Sequence, residues 1–332
     1  MTRLFMTGAE SGSTAVFTSV ANCTASTTQK RTGAYAYYLT PAGTSKASIT
    51  LSAAISELYL RMGVYPTALG GTSGVVVSFA SGTPKTQGVL AINDMTYLLE
   101  YCLGNTTPVL TGTHPITMNS WCCIEIYYTV ANALGRFVVR VDGVTDIDFT
   151  GDTQNVDATI RAVTFGYVII ACGIAGYLDD LAINDTAGAV NNTWIGRGGI
   201  YGIVPEGVGN YTNLHASAGN AWDCINEVPP DDTDYVYDDT VDQKSTYALT
   251  ALVPTTGTID CINVIMRAKL DAAGTGNIAR LIRSNGTDGQ GADVGLDASA
   301  KTIQEIIETD PSGGAAWTVA RVNALEAGAV VR

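Results

Sequence analysis

An all-β fold, two tandem antiparallel sandwiches with one short helix near the carboxyl end, is predicted by three observations. Apolar residues alternate with polar ones in short runs along the 332-residue chain, the period of half-buried strands. Gly, Ser, Thr and Asn separate those runs, and no long helical period interrupts residues 1 to about 200. A second set of runs follows Val204–Asn210, where a proline and glycines break the pattern and read as a linker. The expected boundary divides a larger domain, 1–203, from a smaller one, 204–332.

Each element follows from its own residues. Glu57–Val64 puts Leu58, Leu60, Met62 and Val64 on one face and Glu57, Tyr59 and Arg61 on the other. Trp121–Tyr128 is a further strand. Phe137, Val139 and Val141 then alternate with Arg136, Val138 and Arg140, and Asp142-Gly143 supplies the positive φ angles of a two-residue hairpin turn into Val144–Phe149. Gly176–Thr186 is a late strand. Beyond the linker, Glu227–Asp242 carries acids and no base, and should be solvated unless a partner or cation neutralises it. Ile262, Val264, Met266, Ala268 and Leu270 alternate with Cys261, Asn263, Ile265, Arg267 and Lys269. Asp271–Asn277 is expected to turn that strand back as Ile278–Arg283, a second meander and hence a second sandwich. Thr318 reads as the N-cap of a helix with Val319, Val322 and Leu325 on one side, ending before Gly328. Ala329–Arg332 forms a final strand.

Composition excludes several functions. Charged residues are 15% of the chain, apolar residues 46%, and the net charge is -13. No Lys/Arg cluster exists to release counterions, so no nucleic-acid role is expected. So little charge implies surface buried against other subunits, hence a homo-oligomer, with a trimer as the working guess. No segment approaches the roughly 20 apolar residues of a membrane span, and the amino terminus is too short in apolar run for a signal peptide. Seven cysteines, Cys23, Cys102, Cys122, Cys123, Cys172, Cys224 and Cys261, show neither metal spacing nor a disulfide framework and read as reduced thiols. Cys122 and Cys123 should face opposite ways. The Asn-x-Ser/Thr sequons at Asn22, Asn105, Asn184, Asn191, Asn210 and Asn285 read as chance in a Thr-rich chain.

The residues of Trp121–Tyr128, the Val-Asp-Gly hairpin at 141–143 and Tyr177–Thr186 resemble the late strands of concanavalin A-like, laminin-G-like jelly rolls. Together with Asn191–Gly196 and Thr309–Thr318 they are similar to structural proteins of tailed bacteriophages. The resemblance implies a non-enzymatic virion component, a capsid decoration or tail-associated protein made in the host cytoplasm. Its partners would be other virion proteins, including the major capsid protein. The alternative is a glycan-binding receptor-recognition module of a tail or fibre.

Candidate chemistry is sparse. Glycosidases of this fold use paired carboxylates on one strand, whereas Glu125-Ile-Tyr127 is followed by no second acid. Glu308-Thr-Asp310 has the spacing but runs into Pro311 and Gly313, a turn. Only His114 and His215 exist, neither beside a recognisable nucleophile setting. No enzyme and no cofactor are expected. Asp179 and Asp180 should face opposite ways in a regular strand, leaving Asp179 beside Tyr177, Leu181 and Ile183, where a carboxylate needs a hydrogen-bond partner or a cation. Calcium held by Asp179 or Asp180 with Asn184 and Asp185 is one reading; a carboxylate capped at a bulge or loop edge is the other. Tyr35, Tyr37, Tyr38, Tyr59, Tyr65, Tyr127 and Trp194 could supply a sugar-stacking platform, with Tyr59, Tyr127 and Trp194 the chosen glycan-binding residues. Strand propensity alone also accounts for so many tyrosines.

Overall fold

The computed structural model describes residues 3–41, 44–82, 85–104, 107–166 and 173–332, which leaves Asn105 and Cys172 outside the described residues. The chain forms two compact units, one of residues 1–10 and 17–200, the other of residues 11–16 and 201–332. Both are built from antiparallel sheets.

The first unit contains strands β1 (Arg3–Thr7), β2 (Ser19–Ala21), β3 (Cys23–Ser26), β4 (Ala36–Leu39), β5 (Lys46–Ile55), β6 (Glu57–Leu69), β7 (Ser73–Ala80) and β8 (Thr86–Asn93). They are followed by β9 (Leu99–Leu103), β10 (Pro108–Thr111), β11 (Cys122–Thr129), β12 (Gly135–Val141), β13 (Val144–Gly151), β14 (Ile160–Gly166) and β15 (Ile174–Asn184). An eight-stranded sheet has the order β13-β12-β11-β6-β15-β4-β3, with β1 also paired to β15; a seven-stranded sheet has the order β10-β9-β8-β7-β14-β5-β2. Neighbours distant in sequence fill both orders, as in a jelly-roll sandwich.

The alternation of apolar residues sets the register. Leu58, Leu60, Met62 and Val64 of β6 are fully buried, as are Ile124, Ile126 and Tyr128 of β11 and Phe137 and Val139 of β12. These side chains meet Phe79 of β7 and Tyr101 of β9 from the opposite sheet. Tyr101 stacks on Phe137 at 3.9 Å, and Phe79 meets Tyr128 edge-on at 5.2 Å. Asp142 and Gly143, at φ 51° and 85°, close the β12–β13 hairpin in the left-handed region that such a turn requires.

The second unit contains β16 (Pro205–Thr212), β17 (His215–Ala216), β18 (Val236–Tyr237), β19 (Lys244–Leu249), β20 (Ile262–Ala268), β21 (Gly276–Ser284), β22 (Thr287–Gln290), β23 (Val294–Leu296), β24 (Lys301–Ile307), α1 (Val319–Asn323) and β25 (Glu326–Val331). Its main sheet runs β16-β19-β25-β21-β22, with β23 also on β21. Two expectations are corrected here. The stretch read as a linker is edge strand β16, where Pro205 occupies the first position and removes no needed donor. The expected 262–270/278–283 meander does not form: β20 pairs with β24, and β21 joins the main sheet. The reason is burial. Ala279, Leu281 and Ile282 are all buried, so β21 needs cover on both faces, whereas β20 exposes Ile265 and Arg267 on one side and only half-buries the other. Ile262, Val264 and Ile307 of the β20–β24 pair pack on Ile282, Trp317, Val322 and Leu325, giving this unit a second layer.

Helix α1 begins as read, with Thr318 Oγ1 accepting the Arg321 N–H. Among the described residues no helix is long and apolar enough to cross a membrane. The six described cysteines are buried and form no disulfide with one another, and burial pushes the Cys102, Cys122 and Cys23 thiols up to about 12. Cys122 and Cys123 lie opposite Val64 and Gly63, on opposite faces of β11.

Phe137→Ala should lower the unfolding free energy of the first unit by about 3–5 kcal/mol, because it empties the ring contacts joining the two sheets. Urea denaturation of the variant against the parent chain measures this.

Candidate functional site

The face of the eight-stranded sheet turned away from the core carries nearly all the polar and aromatic candidates of the first unit. Register places them in rows across the strands. Tyr127 of β11 lies opposite Tyr59 of β6, which lies opposite Asn184 of β15. The next row holds Arg140, Glu125 and Arg61. Then come Cys123, Gly63 and Asp179, and finally Tyr65, Tyr177 and Tyr38.

The centre of this face is polar and covered. Arg61, Glu125, Asp179, Asp180, Asn184 and Arg3 are each at most 3% exposed. The expectation that Asp179 shares a face with Leu181 and Ile183 is corrected, because β15 bulges between Asp179 and Ala182 with Asp180 at φ 53°. The extra residue resets the alternation, so Tyr177 and Asp179 face outward while Leu181 and Ile183 turn into the core. Both carboxylates are engaged by the 31–32 turn. Asp179 Oδ2 accepts the Arg31 and Thr32 backbone N–H groups at 2.8 and 3.2 Å, and its Oδ1 accepts the Asp180 N–H at 2.7 Å. Asp180 accepts Arg31 Nη1, Thr32 Oγ1 and the Ile200 N–H, each at 2.6 Å. Arg31 also donates to the Arg197 and Gly198 carbonyls. It crosses the sheet over Gly63, where a Cβ would lie 2.8 Å from Arg31 Cδ. Glu125 accepts the Gly196 N–H at 2.7 Å, and Arg61 Nε donates to the Asp180 carbonyl at 2.9 Å.

This geometry does not suit calcium. Of the four residues named for it, Asp179 and Asp180 already accept N–H, O–H or guanidinium donors on all four oxygens. Asn184 Oδ1 accepts Arg3 Nε, and Asp185 Oδ1 accepts the Ala187 N–H at 3.0 Å. A cation among them would displace Arg31. Among the described residues no group of three or more His, Cys, Asp or Glu side chains is placed to hold a metal.

At one end of the face the three chosen glycan residues converge. Tyr59 and Tyr127 stack at 4.7 Å, and Trp194 lies edge-on to Tyr59 at 5.4 Å and 6.3 Å from Tyr127. All three are half-buried. The Arg140 guanidinium covers Trp194 at 3.8 Å, a cation–π contact. Glu57 joins the cluster by accepting the Tyr127 hydroxyl, Thr129 Oγ1 and Thr186 Oγ1. Burial and this carboxylate push the Tyr127 phenol above its ordinary range. Glu57, Thr186 and Arg140 were not singled out from sequence, although Glu57 shares the parity of Tyr59 on β6.

The remaining candidates divide. Tyr37 is fully buried, its hydroxyl 2.7 Å from Thr7 Oγ1, and takes no part in a surface. Tyr35 is half-buried, and its backbone N–H donates to Glu10. Tyr38 and Tyr65 belong to the last row described above. His114 Nδ1 contacts Asp146 Oδ1 at 2.9 Å on the surface, and His215 lies 3.8 Å from Asp238. Asp310 is buried in its turn, accepting the Ser312 N–H.

No protein-family profile and no curated protein sequence matches the chain. Solved structures similar to it include domain 4 of AbnA, a GH43 extracellular arabinanase from Geobacillus stearothermophilus, in complex with arabinotriose. That likeness has 13% identity, covers 55% of this chain and 92% of the other, and has a TM-score of 0.40. The cellulose-induced protein Cip1 shares 13% identity over 53% of this chain and 88% of its own, with a TM-score of 0.37. The carbohydrate-binding module CBM66 from Bacillus subtilis shares 11% over 50% and 97%, with a TM-score of 0.33. At these values the likenesses bear on no individual residue of the site.

Two outcomes follow from the polar centre. Burial, then the Asp180 charge, pushes the Asp179 carboxyl up to about 8. A group raised in the folded state binds its proton more tightly there than in the unfolded chain, so its stabilisation is complete below about pH 4 and is lost as pH rises toward 8. Stability should therefore fall as pH rises across that window, and Asp179→Asn should flatten the slope in pH-dependent urea titrations. Saturating calcium or EDTA should leave the thermal midpoint unchanged in differential scanning calorimetry.

Proposed function

We propose that the first unit is a non-enzymatic glycan-binding module. The observation that carries this reading is the convergence of Tyr59, Tyr127 and Trp194 on one outward patch, from two neighbouring strands and the segment that follows β15. Aromatic faces supply apolar stacking surface at small conformational cost, and Glu57, Arg140 and the threonine hydroxyls supply hydrogen bonds at its rim. Glu125 argues against turnover. It lies in the row next to the platform, yet it is buried and engaged by the Gly196 N–H, and Glu57 within the platform already accepts the Tyr127, Thr129 and Thr186 hydroxyls.

A second reading, assembly into a tailed-phage particle as a decoration, tail or fibre protein, draws support from the second unit. Val208, Tyr235, Tyr237 and Val241 are all at least half exposed there, an amount of open apolar surface that suits burial against a neighbour or a second copy. The two readings are compatible in a receptor-recognition component of a tail or fibre.

A glycan array probed with the full chain should show binding, and Tyr127→Ala and Trp194→Ala should each weaken the dissociation constant at least about tenfold by isothermal titration calorimetry, the loss of about one stacked ring. Retention of full affinity by both variants would refute the platform. Quantitative mass spectrometry of purified particles, with native mass spectrometry for oligomeric state, tests the second reading.

A further inference from the structure

The far row of the same sheet face is a continuous line of aromatic rings. Tyr38 and Tyr177 lie 4.9 Å apart, Tyr177 and Tyr65 5.9 Å, and Tyr65 and Trp121 5.5 Å. Tyr38, Tyr177 and Tyr65 come from adjacent strands β4, β15 and β6, and Trp121 immediately precedes β11. Strand spacing of about 4.8 Å therefore sets the step, and the line spans about 15 Å. All four residues are half-buried. The Trp121 indole N–H has no acceptor among the described residues.

A hollow of about 370 Å³ is lined by Thr67, Ala68, Leu69, Asp94, Tyr97 and Met118. Thr67 stands two residues beyond Tyr65 on β6, and Met118 three residues before Trp121. In the β8–β9 turn, Asn93 Oδ1 accepts the Met95 and Thr96 N–H groups. The Asp94 carboxylate accepts no hydrogen bond from the described residues.

We infer that this row, with this hollow, is a second glycan surface, which takes a single neutral polysaccharide chain lengthwise and offers Asp94 as acceptor for hydroxyls of one sugar. Three observations select that ligand. The ring step is close to that of one sugar along a chain, so successive rings meet successive sugars. The ring planes turn by 32°, 77° and 57° along the row, which fits a twisting single chain and not the flat face of a crystalline polysaccharide. The Arg31 and Arg61 guanidinium groups on this face are bound to Asp180, so an acidic glycan would meet no available cation from them. The inference extends the reading of this unit as a glycan-binding module but stands on different residues from the Tyr59–Tyr127–Trp194 platform.

The test uses the full chain and soluble β-1,4-linked glucose, xylose and mannose oligosaccharides from one to six units, with crystalline cellulose and a polyuronate as contrasts. Affinity for at least one neutral series should rise at least about tenfold between the disaccharide and the tetrasaccharide and then level off, once the row is filled. Tyr65→Ala and Trp121→Ala should each abolish that rise, Trp121→Phe should retain most of it, and Asp94→Asn should weaken binding a few-fold. Tyr127→Ala should leave the length dependence intact. Circular dichroism confirms folding, and the Trp121→Phe and Asp94→Asn variants keep the test decisive if an alanine variant fails to fold. Length-independent affinity, binding confined to crystalline cellulose or to the polyuronate, or no neutral binding at all would overturn the inference. Unchanged length dependence in Tyr65→Ala and Trp121→Ala would do the same. If Tyr127→Ala alone loses binding, the first platform stands and this one falls.

Discussion

The grip of Arg31 and Thr32 on the Asp179–Asp180 pair organises the outer face of the first unit. Two adjacent carboxylates inside a strand, both removed from water, are costly unless each oxygen finds a donor. The bulge at Asp180 turns both toward the same cover, where two backbone N–H groups, a hydroxyl, a guanidinium and the Ile200 N–H meet them. The same guanidinium holds the Arg197 and Gly198 carbonyls. Two chain segments far apart in sequence are thus fixed over the middle of one sheet. Removing any one partner would leave a buried polar oxygen unmatched, which is why the arrangement behaves as a unit.

That cover has a consequence for the surface left open. It divides the sheet face into two aromatic fields, one at each end of β6 and β11. Tyr59 and Tyr65 are six residues apart on β6, and Trp121 and Tyr127 six apart at β11, an even separation that keeps each pair on one face. The intervening positions, Arg61 and Gly63 on β6 and Cys123 and Glu125 on β11, lie beneath the cover. A polar, locked centre holds the strands that carry both fields, so the rings are presented by rigid elements and not by loops.

Much of this was legible in the sequence because period-two alternation is a local property. The faces of Glu57–Val64 and Phe137–Val141, the Asp142-Gly143 turn and the Thr318 cap all follow from neighbouring residues. Tyr59, Tyr127 and Trp194 were legible as a candidate trio, whereas the row of Tyr38, Tyr177, Tyr65 and Trp121 was not, because strand order decides which rings become neighbours. What sequence could not supply was nonlocal. Nothing near Asp180 announces a left-handed residue there, and its partner Arg31 is separated from it by most of the unit. Likewise β20 and β21 are adjacent in sequence with compatible patterns, and only the two-sided burial of Ala279, Leu281 and Ile282 sends them to different sheets.

The fate of Glu125 bears on what such a face can do. An acid pointing outward from the middle of a curved sheet is well placed to meet a bound chain, and a catalytic carboxylate there would need access to the scissile bond and a second acid across from it. Glu125 instead accepts the Gly196 N–H beneath the cover, with Arg61 and Arg140 as its cross-strand neighbours. Its carboxylate is used to hold the segment that carries Trp194. An outward-facing acid in the middle of the sheet thus serves to position the segment that carries the Trp194 ring.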